Sequence, residues 1–146
     1  MARVTTYLNF PDTTEEAFLH YKAVFQTEFI GPLLRFGDAP PAPGQPPLPP
    51  AHAKRVMHVS LPILGGHILM GTDAPDVRGT KLNQGNNVYI NLEPDTRAET
   101  DRLFAGLAEG GKVDSPLAEM FWGSYWGTLT DRFGIYWMFN CPAKAT

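Results

Sequence analysis

The chain has 146 residues, with 12 lysines and arginines against 15 aspartates and glutamates, and a formal net charge of −3 at pH 7. This length is typical of one domain with a sizeable core. No basic cluster is present, so nucleic acid is not expected as a partner. No apolar run reaches the roughly 18 residues of a membrane span, so no membrane partner is expected. The single cysteine, Cys141, excludes an internal disulfide and suits a reducing compartment, so we expect a cytoplasmic protein.

The sequence contains two copies of a strand-to-helix transition. Residues 7–13 read Tyr-Leu-Asn-Phe-Pro-Asp-Thr, and residues 89–96 read Tyr-Ile-Asn-Leu-Glu-Pro-Asp-Thr. The repeat predicts a single domain, 1–146, made of two related modules, about 1–75 and about 84–142. Two unrelated strand–helix units with similar turns are the alternative.

Each copy of the repeat also carries the signature of a helix start. Glu16 follows Thr13 by three residues, and Glu99 follows Thr96 by three residues. In this capping-box spacing, each side chain satisfies a free backbone N–H of the first helical turn. Both threonines are therefore predicted to cap helices.

Hydrophobic periodicity and turn residues predict the order β-α-β-β-β in each module, which is an α+β fold class. The helices should bury Phe18, Tyr21 and Phe25 in the first module and Leu103, Phe104 and Leu107 in the second. The predicted elements are a strand near 2–10, a helix near 13–26, strands near 27–36, 53–63 and 66–72, a strand near 86–93, a helix near 96–108, and strands near 112–117, 124–130 and 134–140.

A proline-rich segment, residues 39–52, interrupts the first module. Prolines lack the N–H group that a sheet requires, and they favour an extended polyproline conformation. The segment is therefore predicted to be an exposed loop. A lid over a cavity mouth is the functional alternative.

Several phrases of the chain are specific enough to indicate a family. They include Leu-Met-Gly-Thr-Asp at 69–73, Gly-Asn-Asn at 85–87, Phe-Trp-Gly at 121–123 and Asp-Arg-Phe-Gly-Ile at 131–135. With the tandem modules, these phrases resemble the PhnB-like branch of the vicinal oxygen chelate superfamily, which includes glyoxalases, bleomycin-resistance proteins and extradiol dioxygenases. The resemblance implies cupped mixed sheets of the glyoxalase/bleomycin-resistance/dioxygenase type. We also expect a homodimer, because the chain carries more aromatic strand surface than one small domain readily buries.

Proteins of this branch are often described as 3-demethylubiquinone-9 3-methyltransferases. The chain contains no strand followed by a glycine-rich turn and a helix, the arrangement that would cradle a methyl donor. We therefore interpret that description as misleading.

In enzymes of the superfamily, each module supplies two ligands to a divalent metal ion in the cup. The resemblance assigns these positions to Thr5, Met70, Asn87 and Met138. Hard divalent cations prefer imidazole, carboxylate and amide ligands, whereas two of the four residues are thioethers. No metal and no other cofactor is therefore predicted, with a divalent metal ion as the alternative.

The cup that the resemblance implies would have a polar and aromatic lining. Strand alternation turns one set of side chains toward it. His58 is the candidate catalytic residue, because imidazole is a versatile acid and base, although most isolated histidines are only hydrogen-bonded. The predicted ligand-binding residues are Tyr7, Asn9, His58, Asn87, Tyr89, Asn91, Trp122, Tyr136 and Met138.

Three functions are compatible with these features. The first is binding of a small molecule in a metal-free cup at or near a homodimer interface. The second is a metal-dependent lyase, isomerase or dioxygenase of the glyoxalase type, with ligands at other positions. The third is a metal-free enzyme that uses His58 with Tyr7 or Tyr136.

Overall fold

A computed structural model describes residues 1–40, 43–44, 46–74 and 81–143. The chain forms two compact units, Met1–Leu82 and Asn83–Thr146. The predicted end of the first module, near residue 75, lies outside the described residues, as do positions 41, 42 and 45 of the proline-rich segment. Within the described ranges, no helix is long and apolar enough to span a membrane.

The elements follow the predicted order in both units. Short 3-10 turns occupy Phe36–Asp38 and Leu64–Gly66. In chain order, the strands and helices are β1 (Thr6–Phe10), α1 (Thr14–Phe25), β2 (Leu34–Arg35), α2 (Pro50–Ala53), β3 (Val56–Pro62), β4 (Ile68–Asp73), β5 (Ile90–Leu92), α3 (Arg97–Ala108), β6 (Lys112–Glu119), β7 (Tyr125–Thr130) and β8 (Tyr136–Cys141).

Each unit contains a four-stranded mixed sheet. The strand order is β1-β4-β3-β2 in the first and β5-β8-β7-β6 in the second. The first and last strands of each unit pair in parallel, whereas all the other pairs are antiparallel. The predicted α+β fold class is therefore confirmed.

Helix α1 covers one face of the first sheet. Phe18, Tyr21 and Phe25 are buried, which confirms the predicted apolar face. The rings of Phe10 and Phe18 meet edge to face at 6.3 Å between centroids. Gly71 of β4 lies directly under Phe18, and a Cβ atom there would overlap the ring. A glycine at this position therefore lets the helix approach the sheet.

Helix α3 packs on the second sheet in the same manner. Leu103, Phe104 and Leu107 are buried, as predicted. The rings of Phe104 and Phe139 lie 5.4 Å apart, edge to face, and Trp137 is fully buried. These contacts fix which face of β8 is turned toward the helix and which face is turned away from it.

The two helices begin differently, although both capping predictions rest on the same motif. Thr96 Oγ1 accepts a hydrogen bond from Glu99 N at 3.1 Å, which confirms the cap of α3. Thr13 makes no side-chain cap bond, so that prediction is wrong. Asp73 at the end of β4 takes its place, accepting from Thr14 N at 3.1 Å and from Val56 N at 2.8 Å.

Three element boundaries also differ from the predictions. The strand expected near 27–36 is reduced to Leu34–Arg35, because Gly31 takes a left-handed φ of 73° and the following Pro32 has no N–H to donate. The strand expected near 86–93 is only Ile90–Leu92. The proline-rich segment ends in the unpredicted helical turn α2, whose first residue is Pro50, a position that proline favours.

Candidate functional site

The candidate residues of the second unit lie on the face of the sheet that is turned away from α3. In β8, Trp137 and Phe139 are buried toward the helix, so alternation places Tyr136 and Met138 on the opposite face. Asn91 of β5 is directly across from Met138. This face therefore carries three of the predicted ligand-binding residues in neighbouring strands.

A cavity of about 460 Å³ opens at one end of this sheet, where β6 and β8 begin. Two of its residues, Tyr89 and Tyr136, are predicted site residues whose rings meet edge to face at 5.5 Å. A volume of this size is typical of small-molecule sites. We call the cavity the tyrosine pocket, and its polar and aromatic lining includes Asn86, Tyr89, Lys112, Asp114, Arg132 and Tyr136.

The carboxylate of Asp114 at the rim of the pocket already has partners within the pocket. Asp114 Oδ2 accepts a hydrogen bond from Thr130 Oγ1 at 2.6 Å. Asp114 Oδ1 lies 3.8 Å from Lys112 Nζ. The positive charge of Lys112 is therefore partly balanced within the pocket.

Arg132 presents the other positive charge. Its guanidinium carbon lies 4.9 Å from the ring centroid of Phe133, a cation–π distance. Its aliphatic stem passes over Gly110, where an added Cβ would lie 3.0 Å from Arg132 Cδ. Arg132 makes no ion pair within the described part of the chain.

The turn that carries Arg132 is fixed by the buried Asp131. Asp131 Oδ1 accepts from Phe133 N at 2.9 Å and from Ile135 N at 3.0 Å. Its other oxygen accepts from Trp137 Nε1 at 2.9 Å. Asp131 therefore anchors the turn to the core, and Arg132 extends from a rigid support.

The first unit gathers a second set of predicted residues on the sheet face that is turned away from α1. Tyr7 and Asn9 alternate with the inward-facing residues of β1, and Tyr7 is 48% exposed. His58 Nε2 lies 2.9 Å from Ser60 Oγ, a hydrogen bond whose donor depends on the imidazole tautomer. The rings of Tyr7 and His58 lie 6.2 Å apart.

Two of the four positions that the resemblance assigns to metal binding, Met70 and Met138, carry thioethers. Met70 lies across from Tyr7 and Ser60, with the thioether on the same sheet face. Thr5 and Asn87 precede β1 and β5, so neither belongs to the strand from which a ligand was expected. A pair of thioethers does not fit a hard divalent cation.

Other potential metal ligands are dispersed or already paired. His67 Nε2 lies 2.8 Å from Thr6 Oγ1. Over the described ranges, no three His, Cys, Asp or Glu side chains come together as a metal-binding group would.

Trp122 lies away from the lining of the tyrosine pocket, in the turn between β6 and β7. It is 52% exposed and meets Phe121 and Trp126 edge to face, at 4.9 Å and 6.4 Å. Phe121 is 98% exposed. These three side chains, which we call the aromatic cluster, form an apolar surface patch.

The sequence-based site prediction includes Tyr89 and Tyr136, which line this cavity, but not the lining residues Lys112, Asp114 and Arg132. Strand alternation cannot place Arg132, because it belongs to a turn. A signal was nevertheless present: the Gly-Gly break at 110–111 and the turn at 131–134 flank adjacent strands. Loops at the same end of neighbouring strands converge, so their charged residues were candidates.

The chain is similar to proteins of known structure along nearly its full length. A family model described as 3-demethylubiquinone-9 3-methyltransferase matches residues 2–139. Protein PA1353 from Pseudomonas aeruginosa has a TM-score of 0.83 and 33% identity, covering 99% of this chain and 100% of that one. A putative 3-demethylubiquinone-9 3-methyltransferase, PhnB protein, from Bacillus cereus has a TM-score of 0.68 and 26% identity, covering 96% and 99%.

The likeness in fold extends to a more distant protein. A glyoxylase/bleomycin resistance protein/dioxygenase domain from Frankia sp. EAN1pec has a TM-score of 0.65 at 12% identity, covering 97% of this chain and 98% of that one. At this identity the likeness concerns the fold alone. It confirms the expected glyoxalase/bleomycin-resistance/dioxygenase-type fold.

Proposed function

The chain belongs to the family described as 3-demethylubiquinone-9 3-methyltransferase and is a PhnB-like protein of the vicinal oxygen chelate type, and from this premise we propose that it binds a small molecule in the tyrosine pocket without a bound metal ion. The observation that carries the proposal is the cavity of about 460 Å³. It combines two aromatic rings with charged groups from β6 and from the turn that carries Arg132. Such a combination of flat apolar surface and fixed polar groups is typical of ligand sites.

Methyl transfer, which the family description names, is not part of the proposal. The turns that join β1 to α1 and β5 to α3 are residues 11–13 and 93–96, and neither contains glycine. A backbone that cradles a dinucleotide-like cofactor requires glycines at that point so that the cofactor can approach closely. The two mixed sheets also have none of the doubly wound parallel topology that accompanies such turns.

We propose that a second copy of the chain covers the aromatic cluster. Exposed Phe and Trp side chains are enriched at subunit interfaces, and Phe121 is 98% exposed. Light scattering at micromolar concentration should report a dimer for the wild type and a monomer for Phe121→Ser with Trp122→Ser. Leu19→Ser is the matched control, because Leu19 is as exposed as Trp122 but lies on α1. A monomeric wild type would contradict the dimer.

The binding proposal is tested by a thermal-shift screen of small molecules. Compounds that raise the Tm of the wild type should lose most of that shift in Tyr89→Ala and in Tyr136→Ala. Tyr7→Ala is the matched control, since Tyr7 occupies the same motif in the first unit and is similarly exposed, at 48% against 44% for Tyr89. Shifts that survive both pocket substitutions, or a screen without any shift, would contradict the proposal.

The hydrogen bond between His58 and Ser60 supports a second candidate function, a metal-free enzyme that uses His58 in proton transfer. The 2.9 Å contact orients the imidazole beside Tyr7 on an accessible sheet face. Compounds whose Tm shift is lost in Tyr7→Ala should then be converted by the wild type and by His52→Gln but not by His58→Gln, as followed by mass spectrometry. Equal conversion by His58→Gln would eliminate this candidate.

A further inference from the structure

We propose that the ligand of the tyrosine pocket is a flat, unsaturated molecule that carries a carboxylate group. This inference rests on the proposed binding function and adds the class of the ligand. Three features support it: the engaged carboxylates of the rim, a guanidinium that forms no ion pair with the described residues, and the paired rings.

The carboxylates of the rim are engaged, which favours an anionic ligand over a cationic one. Asp114 is engaged by Thr130 and Lys112. Asp131 is buried and accepts three hydrogen bonds from its own turn and from Trp137. The acidic groups of the lining are therefore occupied, and a cationic ligand would find no free carboxylate there.

Arg132 supplies the complementary group. It forms no ion pair with any described residue, and its guanidinium lies over the ring of Phe133 rather than against an acid. A guanidinium presents parallel N–H groups whose spacing matches the two oxygens of a carboxylate. Because Asp131 fixes the backbone of the turn, only the side chain of Arg132 has to be ordered when an anion binds.

The two tyrosines indicate that the ligand is flat. Tyr89 is 44% exposed, so one ring is open to a partner although it already meets Tyr136 edge to face. Aromatic rings favour flat partners through stacking and edge contacts. Within the described residues, neither phenol hydroxyl has a hydrogen-bond partner, so both can serve a polar substituent on the ligand.

The test compares 2-naphthoate with 2-naphthamide, which share a flat body and differ in charge. By calorimetry, the wild type should bind the carboxylate at least about tenfold more tightly than the amide, the size expected for a charged hydrogen-bonded pair. Arg132→Gln should abolish this preference, and Arg132→Lys should retain only part of it. Arg3→Gln, which removes the same charge from an exposed position before β1, should leave it unchanged.

The outcomes separate the ligand class from the binding function. Equal affinity of acid and amide in the wild type, or a preference that survives Arg132→Gln, would overturn the carboxylate proposal. If either compound binds the wild type and this binding is lost in Tyr89→Ala, the proposed binding function stands even when the ligand class is wrong. If neither compound binds more weakly to Tyr89→Ala than to the wild type, the proposal that the tyrosine pocket binds a small molecule is itself wrong.

Discussion

The two units share one topology but pair their first strands differently. In the first unit, Tyr7 of the repeated Tyr-x-Asn phrase lies across from Met70. In the second, the position across from Met138 is held by Asn91, the last residue of the same phrase. Met70 and Met138 occupy equivalent positions, because each is the third residue of the last strand of its unit. Their partners in the neighbouring antiparallel strands are Ser60 and Thr128. The repeated phrase is therefore shifted by two residues between the units.

This shift explains why the two tyrosines of the repeat have different neighbours. A two-residue shift leaves every side chain on its original face, because strand alternation has a period of two. It moves the phrase along the sheet, however, so Tyr89 reaches the end of β8 and meets Tyr136. Tyr7 instead lies beside His58 in the first unit. Similar sequences thus give two different chemical surfaces.

The largest loss of stability should come from substituting Asp73, whose side chain caps α1, whereas Thr96 caps α3. Asp73→Ala leaves the backbone N–H groups of Thr14 and Val56 without acceptors in a buried place. The expected loss in free energy of unfolding is about 3 kcal/mol, measured by urea denaturation. A loss under about 1 kcal/mol would mean that water or another group replaces the carboxylate.

The strand register can be tested by building a metal site. Asn91→His with Met138→Glu places an imidazole and a carboxylate side by side on one face, so Zn²⁺ affinity should rise about tenfold or more over the wild type. Asn87→His with Met138→Glu is the control and should show no such gain, because Asn87 precedes β5. Calorimetry with Zn²⁺ measures both. A gain only in the control would refute the two-residue shift.

A smaller effect separates the two threonines of the repeat. Thr96→Ala removes the cap bond to Glu99 N and should cost about 1 kcal/mol in free energy of unfolding. Thr13→Ala should change it by less than about 0.5 kcal/mol, since Thr13 makes no cap bond. Equal losses for the two variants, by urea denaturation, would show that both threonines cap their helices in solution.

The smallest effect concerns Tyr125, on the helix side of the second sheet. Its hydroxyl donates to Asp101 Oδ1 at 2.6 Å, and this hydrogen bond raises the pKa of Tyr125 above its usual value of 10.0. The stability gained is present below pH 10 and is lost as the pH rises through the raised pKa. Tyr125→Phe should therefore be less stable than the wild type by about 0.5 kcal/mol at pH 8. The difference should shrink above pH 10, and one that grew would contradict the assignment.

Sequence alone located the buried faces of both helices, because these follow from local periodicity. Strand alternation also named Tyr89 and Tyr136 as candidates. The sequence could not locate the Asp73 cap, which joins residues 59 positions apart. It could not detect the register shift either, since a shift of two preserves the polar and apolar pattern of Asn91 and its neighbours. Arg132 was missed because its place depends on the hydrogen bonds of Asp131, which no periodicity reports.

The most direct measurement of the central claim is an amide NMR titration of the wild type with 2-naphthoate. If the tyrosine pocket binds small molecules, the largest shifts should map to its rim, at Tyr89, Gly111, Lys112, Arg132 and Tyr136. Backbone amides of Tyr7, Asn9 and His58 should move little. Shifts centred on the first unit, or an absence of shifts at millimolar ligand, would contradict the account.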